Sequence, residues 1–153
     1  MLNMEVNLAG IVHDSIVDGP GLRTVIFFQG CPHHCANCHN PQTHALNKKI
    51  ILNLDELIAV IKTDPSIKKI TISGGEPFLQ YDALLQLVQA LADYDIWLYT
   101  GYTKKELIKL GYSPVFKYIK VLVDGRYEEK LKTLTLPFVG SSNQKIIHFN
   151  NKK

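Results

Sequence analysis

The sequence predicts an α/β fold, an open partial (β/α) barrel of about five to six mostly parallel strands. Short apolar runs rich in β-branched residues alternate with segments whose apolar residues recur at helical spacing, which is typical of a parallel sheet with right-handed crossovers. The run at residues 24–29 is apolar through its centre, as expected of a strand buried on both faces. A complete eight-fold barrel takes about 250 residues. The 153 residues of this chain therefore predict an open, partial barrel.

The predicted strands follow one another along the whole chain. An N-terminal strand covers residues 8–13, and the buried run at 24–29 is the first long core strand. Three more core strands and one short final strand are predicted downstream, at residues 69–73, 96–100, 118–123 and 145–148.

Three helices are predicted between these strands. The first covers residues 54–61, where Asn53 can accept a hydrogen bond from the first-turn backbone. The second covers residues 81–91, whose apolar positions recur at helical spacing. Thr103 and Glu106 form a capping box for a short third helix.

The composition indicates one domain over residues 1–153. The apolar fraction of 46% is ordinary for a globular protein, and the net charge of +3 is too small to indicate a nucleic-acid partner. No run of 18 apolar residues and no signal-peptide pattern occur, so we expect a cytoplasmic protein with no membrane partner.

All three cysteines of the chain lie within eight residues, at Cys31, Cys35 and Cys38. Their spacing is C-x3-C-x2-C. A [4Fe–4S] cluster held entirely by protein takes four thiolates, so the fourth iron here would need a ligand other than cysteine. An open metal position of this kind can bind and polarise a small molecule.

Zinc is the alternative for this loop. Three histidines lie in or beside it, and Cys3His is a familiar structural zinc set, but no second cysteine pair occurs downstream. A disulfide is disfavoured because one thiol would be left over and nothing in the sequence marks secretion.

Small and polar residues follow the predicted strands at the ends where a parallel sheet binds ligands. The cysteine loop follows 24–29. The other segments are Gly74–Glu76 with Pro77, Tyr99–Gly101, and Asp124 with Gly125. Two glycines at a strand end let a backbone approach a ligand closely, although a simple turn is the other interpretation.

The cysteine loop after the first long strand and Gly-Gly-Glu-Pro after the next together resemble the radical S-adenosylmethionine superfamily. The resemblance implies that the three cysteines hold a [4Fe–4S] cluster and that S-adenosylmethionine chelates the open iron through its amino and carboxylate groups. It also implies that the methionyl end lies at Gly74, Gly75 and Glu76. Tyr99, Thr100 and Gly101 are expected near the ribose or adenine, with a satisfied strand end as the alternative.

Further segments sharpen the resemblance. They are Asp-Gly-Pro-Gly-Leu-Arg at 18–23, the cysteine loop at 30–41, Trp-Leu-Tyr-Thr-Gly-Tyr at 97–102, Val-Leu-Val-Asp-Gly at 121–125 and Gly-Ser-Ser-Asn-Gln at 140–144. This set is similar to the activating proteins of anaerobic (class III) ribonucleoside-triphosphate reductases, over roughly residues 7–147. One departure is Asn37, which stands where many superfamily members place an aromatic residue near the adenine. Asn37 is kept as a cofactor-binding candidate, and adenine packing is expected from elsewhere or weaker.

The resemblance implies an oxidoreductase. A one-electron donor such as flavodoxin would reduce the cluster, and reductive cleavage of S-adenosylmethionine would yield a 5′-deoxyadenosyl radical that takes a hydrogen atom from a glycine of the reductase. No acid–base pair is required, so no catalytic residue beyond the cluster and cofactor site is predicted. The alternatives are an activator of another glycyl-radical enzyme, a small radical enzyme with a small-molecule substrate, and a non-catalytic zinc or iron–sulfur module.

Overall fold

A computed structural model describes residues 4–31 and 50–149 of the chain. Seven strands occur in these ranges: β1 Glu5–Ser15, β2 Arg23–Phe28, β3 Ile50–Asn53, β4 Lys69–Gly74, β5 Asp95–Tyr99, β6 Val121–Asp124 and β7 Lys145–His148. The helices are α1 Leu54–Thr63, α2 Tyr81–Ala90 and α3 Lys104–Lys109, with short 3₁₀ turns at Pro77–Gln80, Ser113–Tyr118 and Glu129–Leu131.

The strands form one open mixed sheet in the order β3-β1-β2-β4-β5-β6-β7. The four central strands, β2, β4, β5 and β6, are parallel to one another. The outer pairings, β1 with β2, β1 with β3 and β6 with β7, are antiparallel. The predicted α/β class is confirmed. The sheet has seven described strands where five to six were predicted, because β3 was not foreseen, and it is mixed because antiparallel strands lie on both sides of the parallel centre.

Of the seven described strands, β3 was not predicted, because it is short and runs directly into a helix. Its last residue, Asn53, also caps α1 by accepting a hydrogen bond from the Glu56 N–H at 3.1 Å. The sequence pattern predicts this helix cap but not the short strand that precedes it. β3 pairs antiparallel with β1, with Val6 opposite Leu52.

The other predicted elements are confirmed with shifted ends. α1, α2 and the short strand β7 lie where they were predicted, and both hydrogen bonds of the α3 capping box are present. The strand expected from residue 118 begins at Val121, because Ser113–Tyr118 forms a 3₁₀ turn with a proline in its first turn. None of the helices in the two described ranges is long and apolar enough to cross a membrane.

Alternation along the central strands divides the buried side chains between two faces of the sheet. On β5, Ile96 and Leu98 join the large core that packs under the helices, whereas Trp97 joins a smaller cluster on the opposite face. Each aliphatic side chain fully buried in the larger core stabilises the fold by about 1.5–3 kcal/mol. The helices therefore hold the sheet from one face, and the ends of the parallel strands project along one edge.

Candidate functional site

The carboxyl ends of the four parallel strands bring the predicted segments to one edge of the sheet. β2 leads into Cys31, β4 into Glu76, β5 into Thr100 and β6 into Gly125. Cys31 is buried, with 7% of its surface exposed. Cys35, Cys38 and Asn37 lie outside the described residues.

The end of the neighbouring strand β2 leaves no room for a side chain at Gly74 or Gly75. A Cβ built on Gly74, whose φ is +133°, would lie 2.3 Å from the backbone oxygen of Phe28. A Cβ on Gly75 would lie 2.3 Å from the backbone oxygen of Gly30. Non-bonded atoms do not approach so closely, and neither contact can be relieved by moving a flexible side chain. The space that a side chain would need is therefore taken by the end of β2, so these glycines can meet a ligand through their backbone groups only.

Glu76 joins the ends of β4 and β5. Its side chain is fully buried, and its carboxylate accepts hydrogen bonds from the Thr100 hydroxyl at 2.8 and 3.0 Å and from the Gly101 N–H at 2.8 Å. A third donor, the Phe78 N–H, lies 3.1 Å from the same carboxylate. These donors together solvate a charge that burial alone would strongly disfavour.

The backbone of Glu76 reaches the end of β2 as well. Its N–H donates to the backbone oxygen of Gly30, the residue before Cys31, at 2.7 Å. On the other side, the Thr100 N–H donates to the backbone oxygen of Val123 in β6 at 3.0 Å. One continuous set of hydrogen bonds thus links all four strand ends.

The Tyr99 side chain packs in the small cluster on the face away from the helices. Its hydroxyl donates to the backbone oxygen of Phe138 at 2.8 Å. Burial raises the pKa of Tyr99 well above its usual range, and the nearby charge of Asp18 adds to this effect. The phenol is therefore neutral at physiological pH and acts as a donor that fastens the segment containing Phe138.

Tyr102 is a candidate site residue that the sequence reasoning did not select. The pKa of Tyr102 is raised, mainly because the side chain is partly buried. The charges of Glu76 and Cys31 raise this pKa further, whereas the charge of Arg126 lowers it. The Arg126 guanidinium lies 5.9 Å from the centre of the Tyr102 ring. An aromatic residue directly after the strand-end pair Thr100–Gly101 was the available sequence signal.

The Gly-Ser-Ser-Asn-Gln segment at 140–144 fastens the loop that leaves β6. The Gln144 amide donates to the backbone oxygen of Gly125 at 3.0 Å, and its side-chain oxygen accepts from the Gly140 N–H at 2.8 Å and the Ser141 N–H at 3.1 Å. The Asn143 amide donates to the Arg126 backbone oxygen at 2.8 Å. This segment therefore fixes the β6 end of the same edge.

Comparison with known proteins gives consistent matches. Residues 17–147 match the family described as "4Fe-4S single cluster domain". A protein of Vibrio cholerae is 37% identical over 144 aligned residues, covering 88% of this chain and 92% of that protein. A protein of Escherichia coli K12 is 36% identical over 143 residues (87% and 92%), and one of Enterobacteria phage T4 is 35% identical over 138 residues (85% and 86%). All three are named "Anaerobic ribonucleoside-triphosphate reductase-activating protein".

Proposed function

Because the chain belongs to the family of anaerobic ribonucleoside-triphosphate reductase-activating proteins and to the 4Fe-4S single cluster domain family, we propose that it activates such a reductase by generating a glycyl radical on it. The observation that carries this proposal is the meeting of Cys31 with the linked ends of β4, β5 and β6 at one edge. A thiol beside the carboxyl ends of parallel strands is a suitable place for a metal cluster and a small cofactor.

The chemistry of the donor set fits an iron–sulfur cluster. Thiolates are the usual ligands of such clusters, and the buried Cys31 stands at the start of the loop that carries the other two cysteines. We assign Cys31, Cys35 and Cys38 as the ligands and leave one iron open for S-adenosylmethionine. When bound, the cluster and S-adenosylmethionine would together supply a one-electron reductive cleavage that ends with removal of a hydrogen atom from a glycine of the reductase.

The role of the chain itself is to position the cofactor with backbone groups at the strand ends. The backbone groups of Gly74 and Gly75 would face the methionyl end, and those of Thr100 and Gly101 would border the nucleoside. The hydrogen bonds that link the strand ends keep these groups in register. The electron would come from an external one-electron donor such as flavodoxin.

We treat residues 1–153 as one radical S-adenosylmethionine domain acting in the cytoplasm, with the open sheet as the core of a partial barrel. One sheet containing all seven described strands supports a single domain. An open edge suits a protein loop as substrate better than a closed pocket would.

The test is a glycyl radical measurement. Anaerobically reconstituted protein, the partner reductase, S-adenosylmethionine and dithionite are mixed, and the electron paramagnetic resonance spectrum is recorded. We expect a glycyl radical that disappears when the partner's radical glycine is changed to alanine or when Cys31→Ala is used. Formation of 5′-deoxyadenosine without a partner radical would refute the assigned substrate. Stoichiometric zinc with no visible absorption after anaerobic purification would refute the cluster.

A further inference from the structure

Glu76 occupies the junction of three strand ends, and its carboxylate is directed into the protein. The residue has 0% exposure. Its side-chain oxygens are held by a hydroxyl and an amide from the end of β5 and by an amide of its own 3₁₀ turn. Its backbone N–H is held by Gly30, next to Cys31.

We propose that Glu76 is a positioning residue whose carboxylate holds Thr100 and Gly101, which follow β5, against the end of β4 and thereby fixes the backbone that receives the cofactor. The inference rests on the proposed function because it assigns a role within the same site. It differs from a direct role, in which the negative charge of Glu76 would itself bind the ammonium group of S-adenosylmethionine.

The hydrogen-bond lengths support a positioning role. The Thr100 hydroxyl and the Gly101 amide both lie 2.8 Å from the carboxylate, and hydrogen bonds to an ionised acceptor are about twice as strong as neutral ones. They are made across 24 and 25 residues of chain, so each one fixes a tertiary contact. Loss of the carboxylate would remove the acceptor of the Gly101 amide and of the Thr100 hydroxyl together, and would leave Thr100 only as an acceptor from the Tyr102 N–H at 3.1 Å.

Glu76 also connects these hydrogen bonds to the backbone that precedes Cys31. The 2.7 Å bond from its N–H to the Gly30 oxygen holds the residue that immediately precedes Cys31. Gly75 is packed against the same oxygen so closely that no side chain fits. Motion of Glu76 would therefore move the backbone on which the first cluster ligand is mounted.

The two roles predict different responses to substitution. If charge is what matters, Glu76→Gln weakens cofactor binding and Thr100→Val does not. If the hydrogen bonds between Glu76 and the residues after β5 are what matters, Thr100→Val weakens cofactor binding as Glu76→Gln does. Each substitution removes or weakens the hydrogen bond between the Glu76 carboxylate and the Thr100 hydroxyl. Thr100→Ser keeps the hydroxyl and should therefore retain cofactor binding. The effect of the double variant should be smaller than the sum of the two single effects, because both changes break the contact between Glu76 and Thr100.

The first measurement is S-adenosylmethionine binding. Dissociation constants are determined by anaerobic calorimetry for the reconstituted protein, with iron content and the spectrum of the reduced cluster recorded with and without S-adenosylmethionine. We expect Thr100→Val to weaken binding by about tenfold, as for loss of one hydrogen bond to a charged group. Thr100→Ser should bind within about twofold of the wild type. Thr63→Val is the matched control, since Thr63 is exposed and its hydroxyl donates to the Val60 oxygen within α1, at 3.2 Å.

The second measurement does not depend on any cofactor. Amide hydrogen exchange of the Gly101 N–H is followed in the cluster-free protein, where Glu76→Gln and Thr100→Val should each accelerate exchange by about tenfold or more. Unchanged exchange in both variants would overturn the proposal, as would Thr100→Val binding S-adenosylmethionine normally while Glu76→Gln does not. Failure of the wild-type protein to hold iron or bind S-adenosylmethionine would instead count against the proposed function, and the exchange result would still decide the role of Glu76.

Discussion

Replacing Arg23 by methionine should destabilise the fold. Its guanidinium is buried, with the residue 1% exposed, and donates to the Thr71 hydroxyl at 2.8 Å and to the Pro20 backbone oxygen at 2.9 Å. One terminal nitrogen donates to the backbone oxygens of Ile70 and Asp95 and forms an ion pair with the Asp95 carboxylate at 2.8 Å. Arg23 thus ties together β2, β4 and β5 below the functional edge.

The expected magnitude follows from what the substitution leaves behind. Removing one partner of a buried ion pair costs about 3–5 kcal/mol. The lower end applies here, because 23% of the Asp95 side chain remains exposed and Lys120 still lies 3.4 Å from its other oxygen. With a urea dependence of about 2 kcal/mol per molar, a loss of about 3 kcal/mol lowers the unfolding midpoint by about 1.5 M.

The assay is equilibrium urea unfolding of the cluster-free protein. Arg126→Met is the matched control, because Arg126 pairs with Glu106 at 3.2 Å where both side chains are 42% exposed. Such surface pairs contribute about 0–1 kcal/mol, so its midpoint should fall by less than about 0.5 M. Equal midpoints for the two variants would refute the assignment of Arg23 as a central tie of the sheet.

The ion pair between Arg23 and Asp95 should also make the stability loss of Arg23→Met depend on pH. Burial alone would raise the pKa of Asp95, but the hydrogen bond and charge of Arg23, helped by Lys120, outweigh it and hold the pKa below its usual value. A lowered pKa in the folded state means that the stabilisation is present above the unfolded pKa of about 3.9 and is lost as the pH falls through the folded value. The stability difference between wild type and Arg23→Met should therefore be largest at neutral pH and should shrink as the pH falls below about 4. A constant difference across this range would contradict the role of Asp95.

Two further substitutions test the edge. Gly75→Ala places a Cβ 2.3 Å from the Gly30 backbone oxygen and should lower both the urea midpoint and the iron content after reconstitution, whereas Gly10→Ala, with nothing within 4 Å of its Cβ, should change neither. Gln144→Leu removes the side chain that fastens the loop after β6 and should destabilise the protein by about 1–3 kcal/mol with faster exchange of nearby amides. Gln89→Leu, at an exposed position of α2, is its control, and identical exchange in both would show that the Gln144 contacts are unimportant.

Features that depend on neighbours along the chain could be predicted from the sequence. The α3 capping box joins Thr103 and Glu106, and its two hydrogen bonds of 2.9 and 3.1 Å are made across three residues. The convergence of strand ends was also predictable, because parallel strands place their carboxyl ends at one edge whatever their detailed contacts. Helix periodicity fixed α1 and α2 for the same local reason.

Features that depend on distant partners could not be predicted. Gly-Gly-Glu indicated a close backbone approach but not that the approaching backbone belongs to Phe28 and Gly30. Nothing in the residues around Glu76 indicates that its charge is held by Thr100, 24 residues away. Arg23 could equally have paired with a surface carboxylate, and only the fold places Asp95 beside it. Each of these choices is made by tertiary packing.

The hydrogen bonds explain why these separate sequence motifs occur together in one chain. The glutamate of Gly-Gly-Glu is held by the strand end after β5 and itself holds the backbone before Cys31, and the glutamine at 144 holds the glycine at the end of β6. A motif residue here is therefore fixed by the backbone of another motif as much as by any ligand. Because each tie joins two segments, a harmful change in one motif should be relieved most readily by a change in the motif that it contacts. The hydrogen bonds join the strand ends into one connected edge, which is what the proposed site would require to hold a cluster, a cofactor and a protein loop in register.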